Sequence, residues 1–310
     1  MSGTIRIEQR DRVLLATLSN PPHALFDDPL VGALDDLVAR AEADDGVGAV
    51  VMTGDHPERF LAHYDVGEIL AGAEESPSVS PRIARSSLRA AGAMRKVPGA
   101  ENALSRTQLA GLVAIERFHE IMLRMESCGA VFLVAINGSA QGGGCELSLA
   151  CDFRWMAEGD HRIGQPEILL GFPPGGGGTQ RLVRMLGTSR ALGLALDGGP
   201  MSPDEALEMG LVDRVIPGDD LVEEALTEAA RLAGRSKEAV AATKRAIYFG
   251  GSMPLRDGMR LERAEFLATV GSENAKAAMR AYVDEFERTG ELPAYDRELM
   301  QKTVDQGRFT

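Results

Sequence analysis

The sequence predicts an α/β protein that ends in a helical C-terminal region, and two observations support this prediction. Short apolar segments of strand length alternate with segments of helical periodicity in the first two thirds of the chain, as in proteins with parallel sheets. From about residue 217 onward the sequence is helical in character. We therefore assign residues 1–216 to the core, with an insertion at about residues 71–107, and residues 217–310 to the helical C-terminal region and tail.

The predicted strands are short runs of apolar residues. Residues 48–53 and 131–136 are apolar along nearly their whole length, which is typical of strands covered on both faces. The predicted strands lie at residues 13–18, 48–53, 131–136, 152–156 and 212–216.

The predicted helices follow from apolar periodicity and from runs rich in Ala, Leu and Glu. The first begins near Asp28, with Pro29 in its first turn, where a missing N–H group is tolerated. The C-terminal helices are favoured by composition and lie at residues 221–232, 237–248, 255–270 and 273–288. The tail at residues 290–310 is polar and has no clear core face.

The insertion at residues 71–107 differs from its surroundings in charge and in periodicity. It has little apolar periodicity, and it carries six basic residues against three acidic ones in an otherwise acidic chain. The basic residues are Arg82, Arg85, Arg89, Arg95, Lys96 and Arg106. Two interpretations stay open: a solvated surface insertion, or a mobile lid or phosphate-facing patch.

Composition and charge limit the classes of function. The chain has 310 residues, enough to bury a sizeable core, and a formal net charge of −13, which repels the phosphates of nucleic acid. Any polyanionic ligand must therefore meet a local basic patch. We expect neither a signal peptide nor a membrane span, because residues 1–10 are polar and no segment approaches roughly 18–20 apolar residues. Cys128, Cys145 and Cys151 fit no metal or redox spacing and suit a reducing cytoplasm.

The first of two glycine clusters, residues 137–147, follows a predicted buried strand and begins a predicted helix. Glycines at such a turn allow a ligand to approach the backbone closely. The free N–H groups of the first helical turn favour negative charge, and Glu146 lies one turn in. This pattern indicates an oxyanion site beside a carboxylate.

The second cluster, residues 164–182, contains Glu167 between a proline and an apolar run. Apolar neighbours disfavour the charged form of a carboxylate and raise its pKa toward the range of a general acid. Neither cluster has the dinucleotide-binding pattern G-x-G-x-x-G with its acidic residue, and neither is followed by the Gly-Lys-Ser/Thr of a phosphate-binding loop. Flexible glycine loops with two surface glutamates remain the alternative.

Together the two clusters resemble the signature region of the enoyl-CoA hydratase/isomerase (crotonase) family. The segments A-I-N-G-x-A-x-G-G-G-C-E-L and G-Q-P-E-I-L-L-G-x-x-P-G-x-G-G-T-Q-R-L match it at most positions. Looser similarity extends from residue 13 to about residue 288, and the insertion and the tail fall outside it. The resemblance implies the crotonase-like spiral of β-β-α repeats, followed by helices that lie at the interface of a homotrimer or homohexamer.

The resemblance also implies an activity in fatty acid metabolism, the addition of water to an enoyl-CoA thioester. Glu146 then activates the water and Glu167 exchanges the proton at C2. The backbone N–H groups of Ala62 and Gly143 bind the thioester oxygen, and that of Gly175 helps to hold the water. The reaction needs no metal and no cofactor, since the coenzyme A thioester is the substrate.

Two departures from the family pattern concern the substrate. The family has Ala-Gly-Ala-Asp where this chain has Ala62-His63-Tyr64-Asp65, and Phe172 replaces a smaller residue. His63, Tyr64 and Phe172 are therefore candidates for the substrate pocket. Their side chains either point outward and pack, or narrow the acyl pocket, or add a polar group near the substrate.

The coenzyme A phosphates need basic contacts, for which Arg59, Lys244 and the basic residues of the insertion are candidates. His56 and His63, with neighbouring aspartates, match no standard metal-binding spacing. Two rivals to the hydratase stay open. One is another reaction of the family: isomerisation, dehalogenation, decarboxylation or thioester hydrolysis. The other is a non-catalytic acyl-CoA-binding protein.

Overall fold

The fold is built around a sheet whose central strands are apolar on both faces. In the computed structural model, which describes residues 2–75, 79–95 and 110–310, the strands of this sheet lie in the order β1 (Thr4–Arg10), β2 (Val13–Ser19), β3 (Ala49–Gly54), β5 (Val131–Ile136), β7 (Phe153–Ala157) and β9 (Arg214–Ile216). β1 is antiparallel to β2, and the other neighbouring strands are parallel. The five predicted strands are confirmed, whereas the exposed strand β1 was not predicted.

A second, smaller sheet consists of three short parallel strands. These are β4 (Arg59–Leu61), β6 (Ser139–Gln141) and β8 (Ile163–Gly164). Each follows a strand of the larger sheet in the chain and runs into the region where the glycine clusters lie.

The helices connect and cover the two sheets. Within the described residues they are α1 (Asp28–Ala43), α2 (Val66–Glu75), α3 (Pro81–Arg95), α4 (Ala110–Met125), α5 (Gly143–Leu149), α6 (Gly178–Leu186), α7 (Thr188–Asp197), α8 (Pro203–Met209), α9 (Leu221–Ala233), α10 (Lys237–Tyr248), α11 (Leu255–Val270), α12 (Glu273–Thr289) and α13 (Arg297–Gln306). Short 3-10 helices lie at Glu167–Leu170, Gly250–Ser252 and Pro293–Tyr295.

Successive side chains of the central strands point to opposite faces of the larger sheet, and each face has its own apolar core. Leu14, Met52 and Phe132 lie on the face covered by α1 and α4. Leu15 and Val51 lie on the opposite face, which α9 covers. This two-sided burial explains why the central strands are apolar at nearly every position.

Three β-β-α units repeat along the chain: β3-β4-α2, β5-β6-α5 and β7-β8 followed by the 3-10 helix and α6. This order is the repeat that the family resemblance implied. Because β4, β6 and β8 are neighbours in one sheet, the segments that follow them lie close together. The units therefore place both glycine clusters and residues 62–65 around one point.

The insertion is more regular than its sequence indicated. Its first part extends α2, and α3 packs against α4 with Ala91 buried. The basic residues Arg82, Arg85 and Arg89 lie exposed on α3. Lys96, Arg106 and the side chain of Arg95 lie outside the described residues, so their phosphate-facing role stays a prediction.

The C-terminal helices α9, α10, α11 and α12 agree with the predicted ones. The polar tail forms a further helix, α13, capped by the Asp296 side chain, which accepts from the N–H of Leu299 at 3.0 Å. Arg235 donates to the carbonyl oxygen of Val304 at 2.8 Å and joins α13 to the turn after α9. In the part of the chain that the structure describes, no helix is both long and apolar enough to cross a membrane.

Candidate active site

The first glycine cluster forms the turn between β6 and α5. Gly142 has a φ of +52°, a left-handed conformation that glycine adopts without strain. A methyl group on Gly144 would lie 2.0 Å from the carbonyl oxygen of Leu61, so α5 packs directly on the end of β4. Gly143 begins α5, where N–H groups have no acceptor within the helix. The turn therefore presents a free backbone donor beside Glu146.

Glu146 is buried and held by the second glycine cluster. Its Oε1 atom accepts from the N–H groups of Gly176 at 2.7 Å and Gly178 at 2.9 Å, and only 3% of the residue is exposed. Burial raises the pKa of Glu146, while those two N–H groups and the nearby basic side chains of His119 and Arg181 oppose the rise. The carboxylate is thus desolvated but supplied with donors that favour its charged form.

Glu167 begins the 3-10 helix Glu167–Leu170 and is also buried. A methyl group on Gly142 would lie 3.2 Å from its Oε1 atom, so the carboxylate lies beside the turn that begins α5. Burial raises the pKa of Glu167 to about 7, its own backbone N–H group opposes this, and the charge of Glu146 adds to it. The carboxyl group is therefore partly protonated at neutral pH.

The buried Gln165 holds the Glu167 carboxylate in place. With its amide nitrogen turned toward Glu167, it donates to Oε1 at 2.9 Å and to Oε2 at 3.1 Å. These donors favour the charged form and act against the rise in pKa that burial causes. Gln165 was not predicted as a functional residue, although it stands two positions before Glu167 in the second cluster.

Ala62 does not supply an oxyanion donor. Its N–H group donates to the carbonyl oxygen of Ala24 at 2.7 Å. A backbone N–H group carries one hydrogen, so this bond leaves none for a substrate oxygen. The prediction for Ala62 is therefore wrong.

The peptide between His63 and Tyr64 provides a free N–H group instead. Its carbonyl oxygen accepts from the N–H of Phe26 at 3.1 Å, and in a trans peptide the N–H points the opposite way. A methyl group on Gly143 would lie 3.6 Å from the Tyr64 nitrogen. Among the described residues, no carbonyl or side chain accepts from the N–H of Tyr64 or of Gly143. Gly143 and Tyr64 thus form a pair of neighbouring free donors, and the oxyanion role predicted for Gly143 stays a prediction.

Two carbonyl oxygens of the second glycine cluster are held by side chains on α4 and α6. The Nε2 atom of His119, on α4, lies 2.7 Å from the carbonyl oxygen of Gly175. Arg181 donates to the carbonyl oxygen of Gly176 at 3.3 Å and to Glu126 at 2.6 Å. With its carbonyl oxygens bound in this way, the loop turns the N–H groups of Gly176 and Gly178 toward Glu146. Sequence reasoning missed His119. Its position beside Phe118 and Met122, on an otherwise apolar face of α4, could have indicated a role for it.

A cavity of about 550 Å³ opens beside residues 62–63. It is lined by His23, Leu25, Arg59, Ala62, His63, Ser139 and Gln141. The structure thus brings together the predicted residues Arg59 and His63 and adds His23, an unpredicted basic side chain. Neither Tyr64 nor Phe172 lines the cavity, because the Tyr64 phenol donates to Asp28 and Phe172 is half-buried next to the 3-10 helix. The pocket role of Phe172 stays a prediction.

Lys244 is not available to coenzyme A. Its ammonium group is buried, donates to Asp152 at 2.7 Å and to the carbonyl oxygen of Ala130 at 2.8 Å, and lies over the ring of Phe132. Tyr248 donates to the other oxygen of Asp152 at 3.0 Å. These bonds join α10 to the larger sheet, so Lys244 is structural and the prediction of a phosphate contact is wrong.

Metal-binding side chains do not gather at this site. Across residues 2–75, 79–95 and 110–310, no three His, Cys, Asp or Glu residues are arranged to hold a metal ion. Cys128, Cys145 and Cys151 are all free and buried, and burial raises the pKa of each thiol.

Comparisons with known proteins show the family to which the chain belongs. A sequence model of the enoyl-CoA hydratase/isomerase family matches residues 101–289. A probable mitochondrial enoyl-CoA hydratase of Dictyostelium discoideum is 33% identical over 91% of this chain and 88% of its own length. A probable enoyl-CoA hydratase of Rhizobium meliloti strain 1021 is 34% identical, with 90% and 95% covered. The crystal structure of an enoyl-CoA hydratase from Bacillus anthracis has a TM-score of 0.72 at 27% identity, with 91% and 96% covered.

Proposed function

We propose that this chain, which belongs to the enoyl-CoA hydratase/isomerase family of the crotonase superfamily, is an enoyl-CoA hydratase. It adds water across the 2,3-double bond of an enoyl-CoA thioester and forms a 3-hydroxyacyl-CoA. One observation carries the proposal: Glu146 and Glu167, two buried carboxyl groups, flank the free N–H groups of Gly143 and Tyr64. Hydration needs these three parts, which are a base, an acid and an oxyanion site.

The surroundings of the two carboxyl groups support different roles. Glu146 accepts from two backbone N–H groups and lies near the basic side chains of His119 and Arg181, which favour its charged form. Burial raises the pKa of Glu167 to about 7 and no positively charged side chain opposes the rise, so this carboxyl group is partly protonated at neutral pH. Carboxyl groups whose surroundings separate their pKa values divide the acid and base roles between them. Glu146 is thus the proposed base and Glu167 the proposed acid.

In the proposed reaction, Glu146 takes a proton from water as the water oxygen bonds to C3. The electron pair of the double bond moves toward the thioester, and the N–H groups of Gly143 and Tyr64 stabilise the negative charge on its oxygen. Glu167 then gives its proton to C2. Donors of this kind typically contribute about 10²–10³ in rate. The Gly175 N–H group remains a proposed further contact for the water, and no cofactor is needed.

The second carboxyl group favours hydration over the other reactions of the family. Moving a double bond requires one group that removes and returns a proton, whereas hydration requires activation of water as well as protonation of C2. Glu146 is held by two N–H groups of the second glycine cluster, and its charge helps to raise the pKa of Glu167, as expected if both act on one water and one double bond.

Product analysis tests the proposal. Incubation with crotonyl-CoA should remove the enoyl-thioester absorbance and give 3-hydroxybutyryl-CoA by mass spectrometry. Incubation in heavy-oxygen water should place one labelled oxygen in the product. A longer enoyl-CoA whose double bond shifts without a gain of water would replace the hydratase with an isomerase. Tight binding of acyl-CoA with no product from any enoyl-CoA would indicate a binding protein.

The coenzyme A moiety is proposed to bind in the cavity beside residues 62–63. Arg59 provides positive charge there and His23 adds a second basic side chain, which a polyanionic ligand needs locally on a chain of net charge −13. The Arg59 guanidinium donates to the carbonyl oxygen of His23 at 3.4 Å, so the two residues already contact each other. The exposed Arg82, Arg85 and Arg89 remain further candidates for the phosphates.

A homotrimer or homohexamer and a cytoplasmic location complete the proposal. No residue of α11 or α12 is buried in the single chain, and large apolar side chains stand exposed on α11, among them Leu255 at 80%, Phe266 at 61% and Leu267 at 70%. Apolar patches of this kind usually mark an interface. Sedimentation equilibrium should give three or six times the mass of the chain, and fractionation of cells should place the activity in the cytoplasm.

A further inference from the structure

Tyr64 combines a free backbone N–H group with an unusually large side chain for its position. The family pattern has alanine there, and alanine leaves the backbone without a side-chain contact. In this chain the ring of Tyr64 packs edge-on against Phe26, with ring centres 6.2 Å apart, and its hydroxyl group donates to Oδ1 of Asp28. The residue that offers the oxyanion donor is therefore attached by its own side chain to α1.

Asp28 is a firm point of attachment. It lies in the first turn of α1, whose inner face is buried through Leu30, Leu34 and Leu37. The neighbouring acidic side chains already have other partners. Asp27 caps α1 and accepts from the N–H of Leu30 at 2.9 Å, and Asp65 accepts from the N–H of Gly67 at 2.7 Å.

The backbone around Tyr64 is held on one side only. The N–H of Phe26 binds the carbonyl oxygen of His63, and the N–H of Asp65 binds the carbonyl oxygen of Phe26, both at 3.1 Å. With the bond from Ala62 to Ala24, these bonds join residues 62–65 to the segment that precedes α1. The bond from the phenol to Asp28 adds a point of attachment on α1 itself.

We propose that the hydrogen bond between Tyr64 and Asp28 is a positioning device that fixes the direction of the Tyr64 N–H group toward the thioester oxygen. This inference rests on the proposed function and adds a residue pair to it. An oxyanion donor is effective only within a narrow range of distance and direction, so a looser donor polarises the thioester less. Tyr64 is a positioning residue through its side chain, because the phenol touches Asp28 and not the substrate.

Two variants and a matched control test the proposal. Tyr64→Phe keeps the ring on Phe26 but removes the hydroxyl group, and Asp28→Asn weakens the acceptor. Tyr248→Phe is the control, since it also removes a bond between a tyrosine and an aspartate, Asp152, at a place away from the site. Dimethylaminocinnamoyl-CoA is the probe, because its absorbance shifts to the red when its thioester oxygen accepts hydrogen bonds.

We expect Tyr64→Phe to lose about half of the red shift and to lower kcat for crotonyl-CoA about fivefold, with KM changed less than twofold, because a misdirected donor weakens stabilisation of the transition state. Asp28→Asn should give a smaller loss in the same direction, since the amide oxygen of asparagine can still accept from the phenol. Tyr248→Phe should keep both the red shift and kcat.

The outcomes separate this inference from the proposed function. A full red shift and full kcat in Tyr64→Phe would overturn the positioning role and leave the hydratase intact. A red shift in the wild type that falls in Tyr64→Phe, without hydration of crotonyl-CoA, would support the positioning role and reject the hydratase. The absence of any red shift in the wild type would overturn the oxyanion role of Tyr64 and the inference with it. If Tyr64→Phe does not fold, Asp28→Asn decides by the same two measurements.

Discussion

The two sides of the site are built in different ways. On the carboxyl side, Glu146 and Glu167 are buried among closely packed glycines, several of which have no room for even a methyl group. On the opposite side, residues 62–65 are partly exposed and carry the bulky His63 and Tyr64. The difference teaches that the proposed acid and base depend on a tightly packed backbone around the carboxylates, whereas the side proposed to bind coenzyme A is partly exposed and has room for larger side chains.

The largest effect is expected on the carboxyl side. In Gly176→Ala the added methyl group would lie 2.3 Å from Oε2 of Glu146 and 2.5 Å from the ring of Phe118, so the carboxylate must move. We expect kcat for crotonyl-CoA to fall about 10²-fold, the usual effect of misplacing a catalytic group by about 1 Å. Gly193→Ala is the control, because nothing lies within 4 Å of its added methyl group, and kcat should not change. Equal kcat in both variants would show that Glu146 is not tightly packed.

The pH dependence tests the same side. The reaction needs one proton shared by the two carboxyl groups, and the pKa of Glu167 is about 7. Because burial raises this pKa, the acid form is present below about pH 7 and is lost as the pH rises. We expect kcat/KM to fall about tenfold for each pH unit above that midpoint, as the proton is lost. The midpoint should be the same for hydration and dehydration, since the overall reaction releases no proton. A flat profile from pH 6 to 9 would contradict the assignment.

His119 tests how firmly the glycine loop is held. His119→Phe keeps a ring on α4 but loses the hydrogen bond to the Gly175 carbonyl oxygen. The loss of one such bond is worth about 1 kcal/mol, so we expect kcat to fall about fivefold with little change in KM. His161→Phe, in a surface segment before β8, is the control. An unchanged kcat in His119→Phe would mean that the loop holds its shape without this contact.

The smallest effect is expected on the coenzyme A side. His63 is exposed, lines the cavity with Arg59, and its Nδ1 atom lies 2.8 Å from the carbonyl oxygen of Tyr64. His63→Ala should raise KM for crotonyl-CoA about twofold to threefold through the loss of weak surface contacts, and should change kcat less. A larger loss in kcat than in KM would remove the distinction between the two sides.

The carboxyl side could be predicted from sequence because its parts are close together in the chain. The glycine turn, Gly143 and Glu146 lie within one short segment, and Glu167 stands in the next β-β-α unit. The donor on the other side could not be predicted in this way. Whether Ala62 or Tyr64 has a free N–H group depends on which of them donates to a carbonyl oxygen of residues 24–26. Those residues lie nearly forty positions earlier in the chain.

The fold shows the same limit. The apolar strands and the C-terminal helices were predictable because burial on both faces and helix-favouring composition leave local patterns. The exposed strand β1 and the polar helix α13 have weaker sequence patterns, so they were not predicted. Lys244 looked like a surface base, but its partner Asp152 stands 92 positions earlier in the chain, and only the folded structure brings the two together.

The most direct test of the central claim measures hydration of crotonyl-CoA by Glu146→Gln and Glu167→Gln beside the wild type. Each variant keeps the size and the hydrogen-bonding ability of the side chain but cannot take up or release a proton. We expect kcat to fall at least about 10³-fold in each variant, because proton transfer is lost, while the Kd of crotonyl-CoA by titration calorimetry stays within twofold of the wild type. Turnover at the wild-type rate in either variant would contradict the account.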